Sequence, residues 1–258
     1  MHICQQETVQ EQYQNADKLK TRIQLHQKYS TNRQGFGNWI TSQYRFPEEA
    51  EVLELGCGTG EMWIGKTDLF HTCSKLVLSD LSEGMLRQCQ DTLGDIPPIQ
   101  YRLIDVQHIP DENSSFDIVI ANMMLYHVPD LSKALAEVKR VLKPDGIFYC
   151  ATYGEHGMME YLCGLFAEYG IQDHSNYIFT LQNGASRLSK YFSDVQRIDY
   201  VDSLEVTHID DLVDYILSLS GMSALRSLPR SILVSVLEKH MRGGALHVPK
   251  EYGMFICR

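Results

Sequence analysis

Glu54-Leu55-Gly56-Cys57-Gly58-Thr59-Gly60 follows an apolar run and precedes a helical stretch, so three glycines fall at one βα turn. Lacking Cβ atoms, such a turn bends tightly and lets a ligand lie against the backbone. The dinucleotide fingerprint needs glycine or alanine at the sixth position, which counted from Gly56 is Glu61; a pyrophosphate is disfavoured. No G-x-x-x-x-G-K-[ST] occurs either, so a nucleoside triphosphate is disfavoured too. Glu54, just ahead of the glycines, suits a ligand with a positive amino group and would repel phosphate. Asp80 and Asp105 each close a later apolar run. Alone, either is an ordinary turn or strand-end residue, and their order and spacing after the glycine turn make them candidates. Cys57 has no histidine nearby in sequence and reads as a small residue fitted to the turn, not a thiol nucleophile.

The elements that must position these residues show as short apolar runs alternating with amphipathic stretches. Val52–Leu55, Leu76–Leu78, Tyr101–Ile104, Phe116–Ala121 and Ile147–Thr152 read as strands; Met62–Leu69, Glu83–Leu93 and Leu131–Leu142 read as helices. The alternation implies βαβ units, hence an α/β fold with a doubly wound, mostly parallel sheet covered on both faces. Lys143-Pro144-Asp145-Gly146 ends the third helix and turns into the next strand. From Gln5 to Tyr44, apolar residues at helical spacing (Leu19, Ile23, Leu25) are followed by Gly35 and Gly37, predicting two helices with a hinge. Further on, Gly157–Tyr169, Ile209–Leu219 and Ser231–Met241 read as helices, and Val195–Tyr200 and Tyr252–Cys257 as strands. The expected organisation is a helical N-terminal cap or lid over 1–45, a ligand-binding core over 46–154, and remaining strands with helical inserts over 155–258. Such inserts tend to sit above the strand ends, where open α/β sheets bind ligands.

From about Val52 to Thr152 the chain resembles the class I, Rossmann-like, S-adenosylmethionine-dependent methyltransferase family. Val52–Gly60 matches its first motif, Leu76-Val77-Leu78-Ser79-Asp80 the second and Ile104-Asp105-Val106 the third. Phe116–Asn122 matches the fourth strand, and Val138–Gly146 the helix and turn that lead into strand five. The resemblance implies a seven-stranded sheet with its last strand antiparallel, S-adenosyl-L-methionine as cofactor and S-adenosyl-L-homocysteine as product. It implies that Gly56, Cys57, Gly58 and Gly60 pack against the methionine part, with Glu54 beside them. Asp80, followed by Leu81, would bind both ribose hydroxyls through one carboxylate, a bidentate charge-assisted contact. Met85 would pack on the adenine face, Asp105 would accept from the adenine amino group, and the Val106 amide would donate to the ring. Asn122, after strand four, would also bind the cofactor. Lys28-Tyr29-Ser30-Thr31-Asn32 resembles the lid segment, with Tyr29 over the sulfonium or simply anchoring the cap. Asp117 reads as structural.

Methyl transfer is an in-line displacement from a sulfonium, so the protein mainly aligns the reactants and excludes water, and no metal is required. A hydroxyl, thiol or amine acceptor is helped by one base. His127, in Leu125-Tyr126-His127-Val128-Pro129-Asp130, is the candidate, with packing beside the cofactor as the plainer role. Family members acting on nucleic-acid amino groups carry Asn or Asp, two prolines and an aromatic after strand four. Here the stretch begins Asn122-Met123-Met124-Leu125, and the chain is similar to small-molecule members. Tyr153, Met158, Met159, Tyr161 and Phe166 could line an acceptor pocket or belong to the core.

The bulk properties agree with a small-molecule acceptor. A net charge of −10 over 258 residues repels phosphate backbones, and Lys and Arg form no run longer than Lys139-Arg140, so nucleic acid is a poor first guess. The seven cysteines are scattered with no Cys-x-x-Cys pair, which fits reduced thiols in a cytoplasm. Met1–Asp17 reads as no leader, and no apolar run approaches the roughly 18 residues of a membrane span. The expectation is a cytoplasmic monomer or homodimer, without membrane or metal, that moves a methyl group to an O, N, S or C nucleophile of a small molecule. The alternatives are an RNA-modifying methyltransferase and a non-catalytic S-adenosylmethionine-binding protein.

Overall fold

Val52, Leu53 and Leu55 are buried because the strand they form is covered on both faces. Leu53 and Leu55 pack with Val119, Val138 and Phe148, whereas Ala50 and Val52 pack with Trp39, Leu76 and Tyr149. This alternation is the period of two of a strand. The computed structural model describes residues 16–219 and 222–258; Cys4 and the expected start of the cap at Gln5 lie outside them.

The strands are β1 (Ala50–Leu55), β2 (Cys73–Asp80), β3 (Ile99–Leu103), β4 (Phe116–Ile120), β5 (Leu142–Tyr153), β6 (Val195–Tyr200), β7 (Ser203–Val206), β8 (Leu246–Pro249) and β9 (Tyr252–Cys257). Seven of them form one sheet in the order β3-β2-β1-β4-β5-β9-β6. β1 to β5 pair in parallel, and β9 runs antiparallel to both β5 and β6. This is the expected mostly parallel seven-stranded sheet with its last strand reversed. The chain leaves β1 to build one side with β2 and β3, then returns to build the other from β4. That switch point opens a crevice at the strands' C-terminal ends.

The helices are α1 (Ala16–Tyr29), α2 (Phe36–Gln43), α3 (Thr67–His71), α4 (Glu83–Leu93), α5 (Leu131–Val141), α6 (Met158–Leu165), α7 (Gly184–Leu188), α8 (Ile209–Ser218), α9 (Ser223–Arg226) and α10 (Arg230–Lys239). Helix α5 covers one face of the sheet; α2, α3 and α4 cover the other. The expected helix over Met62–Leu69 is broken. A single turn at Glu61–Trp63 gives way at Gly65, whose φ of 72° ends it, and α3 starts afresh. The Lys143–Gly146 turn survives as a bulge, since Leu142 pairs with Phe116 and the register resumes only at Ile147 with Ile118.

A third apolar cluster lies apart from the sheet and joins α1, α6, α8, α9 and α10 with the antiparallel pair β7–β8 around Leu25, Leu162, Leu204, Leu212 and Leu233. Helix α1 therefore shares one cap core with α6 and with elements from β7 to β8. Divisions at 45 and 154 separate elements that pack together, while α2 belongs to the sheet layer. Among the described residues, no helix is long and apolar enough to cross a membrane.

Candidate active site

A cavity of about 300 Å³ opens at the switch point, above the ends of β1, β2 and β4. The sheet brings to its wall Gly56, Cys57 and Gly58 after β1, Asp80, Leu81 and Met85 after β2, Asp105 and Val106 after β3, and Asn122 and His127 after β4. All are residues the sequence singled out. The turn after β1 is tied to β2, with the Cys57 N–H donating to the Ser79 carbonyl at 2.8 Å and the Gly58 N–H to Asp80 Oδ2 at 3.0 Å. Asp80 Oδ1 accepts from the Ser82 N–H at 2.8 Å. A carboxylate offers about four lone-pair sites, so each oxygen retains capacity for a ligand hydroxyl. Burial raises the Asp80 pKa against these N–H donors, so a ligand donor replaces lost water.

Two glycines of the turn serve different ends. At Gly58, φ is 58° and nothing lies within 4 Å of where a Cβ would stand, so the bare backbone is open to the cavity. At Gly60, φ is 75° and a Cβ would stand 2.6 Å from Cys89 Sγ and 3.0 Å from Leu93 Cδ1. Gly60→Ala is therefore expected to destabilise the fold by about 2 kcal/mol through left-handed strain and crowding against α4. Urea unfolding reads this directly, and unchanged stability would contradict the packing described.

Three expected site residues stand elsewhere. Gly60 is buried under the turn against α4 and is not part of the cavity wall. Glu54 shares the β1 face of Val52, so it points into the core, where Trp63 Nε1–H donates to its Oε2 at 2.5 Å. It is 2% exposed, and burial pushes its pKa up to about 7 against the Trp63 and Asn122 hydrogen bonds. Tyr29 is buried in the cap core, its hydroxyl donating to Asp211 on α8, and it does not reach the cavity. Its anchoring role is the one observed. Among the described residues of α1, Ile23 lines the cavity.

Asn122 takes the position foreseen for Glu54. Its Nδ2–H donates to the Tyr44 hydroxyl at 2.7 Å, while its Oδ1 is buried without a hydrogen-bond partner and the residue lines the cavity. Such an orphaned acceptor, with the Glu54 carboxylate behind it, fits a ligand's ammonium group. His127 has its pKa lowered to about 4, first by burial and then by the charge of Arg22. At neutral pH it is unprotonated but a weak base. The Cys57 thiol, held well above its usual range by its hydrogen bond with Cys89 and by burial, is no thiolate.

Sequence reasoning missed Ile23, Glu61, Gln107 and Met123 in the wall. Gln107 had a signal, because its N–H closes an Asx-type turn onto Asp105 Oδ1 at 2.9 Å. Met123 had none, since its φ of 55° is imposed by the turn out of β4.

Residues 53–150 match a family model described as a methyltransferase domain. The malonyl-[acyl-carrier protein] O-methyltransferase of Geobacter sulfurreducens is 25% identical over 220 residues, covering 80% of this chain and 81% of that protein. The mitochondrial arginine hydroxylase NDUFAF5 of Mus musculus is 34% identical over 114 residues, 44% of this chain. The chain spans only 32% of that relative's length. The complex of the Haloferax volcanii Trm112 methyltransferase activator with a methyltransferase aligns with TM-score 0.60 and 15% identity, over 96% of each chain. At that identity the likeness is one of fold.

Proposed function

We propose that this chain, a class I S-adenosylmethionine-dependent methyltransferase by its domain match over residues 53–150 and its sheet, methylates a small molecule by in-line displacement. One observation carries the reading: the switch-point cavity pairs a hydroxyl-accepting carboxylate, Asp80, with an orphaned ammonium acceptor, Asn122 Oδ1. These suit the two polar ends of S-adenosylmethionine, its ribose diol and its amino-acid group. When bound, the cofactor supplies an electrophilic methyl on a sulfonium.

The chain's own residues orient and enclose. Asp80 fixes the ribose, Met85 and Val106 offer apolar surface to the base, and Asn122 with Glu54 behind it holds the amino group. Ionisation of Glu54 beside an incoming ammonium completes that charge pair. Ile23 and Met123 help close the cavity against water. His127, unprotonated at neutral pH, accepts a hydrogen bond from an acceptor more readily than it removes a tightly held proton. A cytoplasmic setting, which the free thiols of the six described cysteines suit, and a monomeric or homodimeric state belong to the same proposal.

The test is turnover with methyl-labelled S-adenosylmethionine against carboxylic acids, phenols, amines and thiols. Release of S-adenosylhomocysteine with a labelled product is expected. Binding without release for every acceptor would leave a cofactor-binding protein and sink the transfer reading.

A further inference from the structure

Four passages of the chain between the sheet and the cap meet in one buried junction. They are residues 30–35 from α1 to α2, 154–157 from β5 to α6, 201–202 from β6 to β7, and 250–251 from β8 to β9. We propose that the Asp202–Lys250 ion pair at this junction is a positioning pair for methyl transfer. It fixes the cap over the sheet, so that α1 holds Ile23 against the donor cavity. The proposal rests on the first cavity being the donor site.

Asp202 gathers three of the passages. Its Oδ1 accepts from the Asn32 and Ser203 N–H groups, each at 2.9 Å, and from Thr31 Oγ1 at 3.2 Å. Its Oδ2 accepts from the Ser30 hydroxyl and the Lys250 ammonium. Thr31 adds a backbone bond, its N–H donating to the Ser203 carbonyl at 2.9 Å. Glu251, next to Lys250, binds the fourth passage. Its carbonyl accepts from the Gly154 N–H and its Oε2 from the His156 N–H, both at 2.7 Å. A Cβ at Gly154 would stand 2.0 Å from Glu251 Oε2, so glycine is what allows the approach.

The Asp202 and Lys250 side chains are 0% and 2% exposed. Desolvation offsets most of the attraction in such a pair, so it adds little stability over a well-packed neutral pair. What it does add is a penalty on every other arrangement of the passages, because parting the two groups leaves a buried charge uncompensated. Its effect is on geometry more than on stability.

That geometry reaches both cavities. Within the cap, α1 is tied to α8 by Lys28 Nζ at 2.6 Å from Asp211 and by the Tyr29 hydroxyl on the same carboxylate, and Leu25 packs in the cap core. Ser30, Thr31 and Asn32 follow directly on α1, so Asp202 holds that helix by its C-terminal end, about two turns from Ile23. A second cavity, of about 330 Å³, shares Met123 with the first; its wall joins His26 of α1 to Gly154, Glu251 and Tyr252 of the junction. A cap displaced at the junction therefore shifts one wall of each cavity.

The test uses the full chain and S-adenosylhomocysteine, with the double variant Asp202→Asn, Lys250→Met. It removes both charges and keeps an acceptor for the Asn32 and Ser203 amides. Its melting temperature should stay close to that of wild type, while S-adenosylhomocysteine dissociates at least about fivefold faster in stopped flow. Hydrogen exchange should quicken in α1 and leave β1 and β4 as protected as before. Lys28→Met breaks an exposed pair inside the cap and should change neither readout. Where the double variant does not fold, Asp202→Asn alone carries the same comparison. Wild-type dissociation, unchanged exchange in α1, or exchange rising equally in α1 and β4 would overturn the proposal, the last by reducing the pair to general stability. Failure of the wild type to bind S-adenosylhomocysteine would instead overturn the donor reading beneath it, and exchange in α1 would still read the positioning.

Discussion

Replacing Asp80 with alanine is expected to weaken S-adenosylhomocysteine binding by about 10- to 150-fold. That range corresponds to the roughly 1.5–3 kcal/mol of hydrogen bonds to a charged group. The carboxylate organises the site before any ligand arrives, because the Gly58 and Ser82 amides both donate to it. Alanine removes the ligand's acceptor and releases the glycine turn together. Asp80→Asn keeps one acceptor oxygen and should fall between alanine and wild type. Titration calorimetry measures the change, with thermal unfolding as the check on the fold. An affinity unchanged in the alanine variant would remove the carboxylate from the binding site.

The second large effect is on stability against acid. His26 has its pKa lowered to about 3, first by burial and then by Lys250, with Asp202 acting the other way. The unfolded chain, with histidine near 6.5, therefore binds the proton that the folded chain refuses between about pH 6.5 and 3. Stability contributed by keeping His26 neutral is complete above pH 6.5 and declines as pH falls through that window. By pH 4.5, two pH units below the unfolded value, the loss is about 2–3 kcal/mol. Glu54, pushed up to about 7, acts oppositely, since its folded-state proton stabilises as pH falls. The clean readout is the difference between wild type and His26→Phe, which keeps a ring against Tyr215 and Tyr252. Urea unfolding at pH 7.5 and 4.5 should show that difference moving by about 2–3 kcal/mol in the variant's favour at the lower pH. A difference that does not move with pH would mean His26 is protonated as easily in the fold as out of it.

Residues at strand ends were the legible part of the site. In an open parallel sheet each strand delivers its last residues to the same edge, so ordered motifs after β1, β2, β3 and β4 converge without further information. Gly56, Gly58, Asp80, Asp105 and Asn122 reached the cavity for that reason. That Glu54 would stand behind the cavity wall was legible too. It is two residues from Val52, so a period of two puts both on the same face, and that face is core.

The cap was less legible because its packing is long-range. Tyr29 is fixed by Asp211, 182 residues later, and Lys250 by Asp202 in a pair closed off from solvent. Neither partner can be read from local pattern. Strands β7 and β8, four residues each, are too short for their alternation to stand out. The fold, in turn, does not settle the chemistry. One similar protein carries the name of an O-methyltransferase and another that of an arginine hydroxylase, so reaction and acceptor must be sought in the cavities themselves.

Calorimetric titration of the purified chain with S-adenosylmethionine, S-adenosylhomocysteine and NAD, in parallel, tests the central claim most directly. The predicted result is micromolar binding of both adenosyl ligands with NAD silent, because Glu61, a cavity residue, occupies the sequence position where dinucleotide binders need glycine or alanine. NAD binding with the adenosyl ligands silent would contradict it.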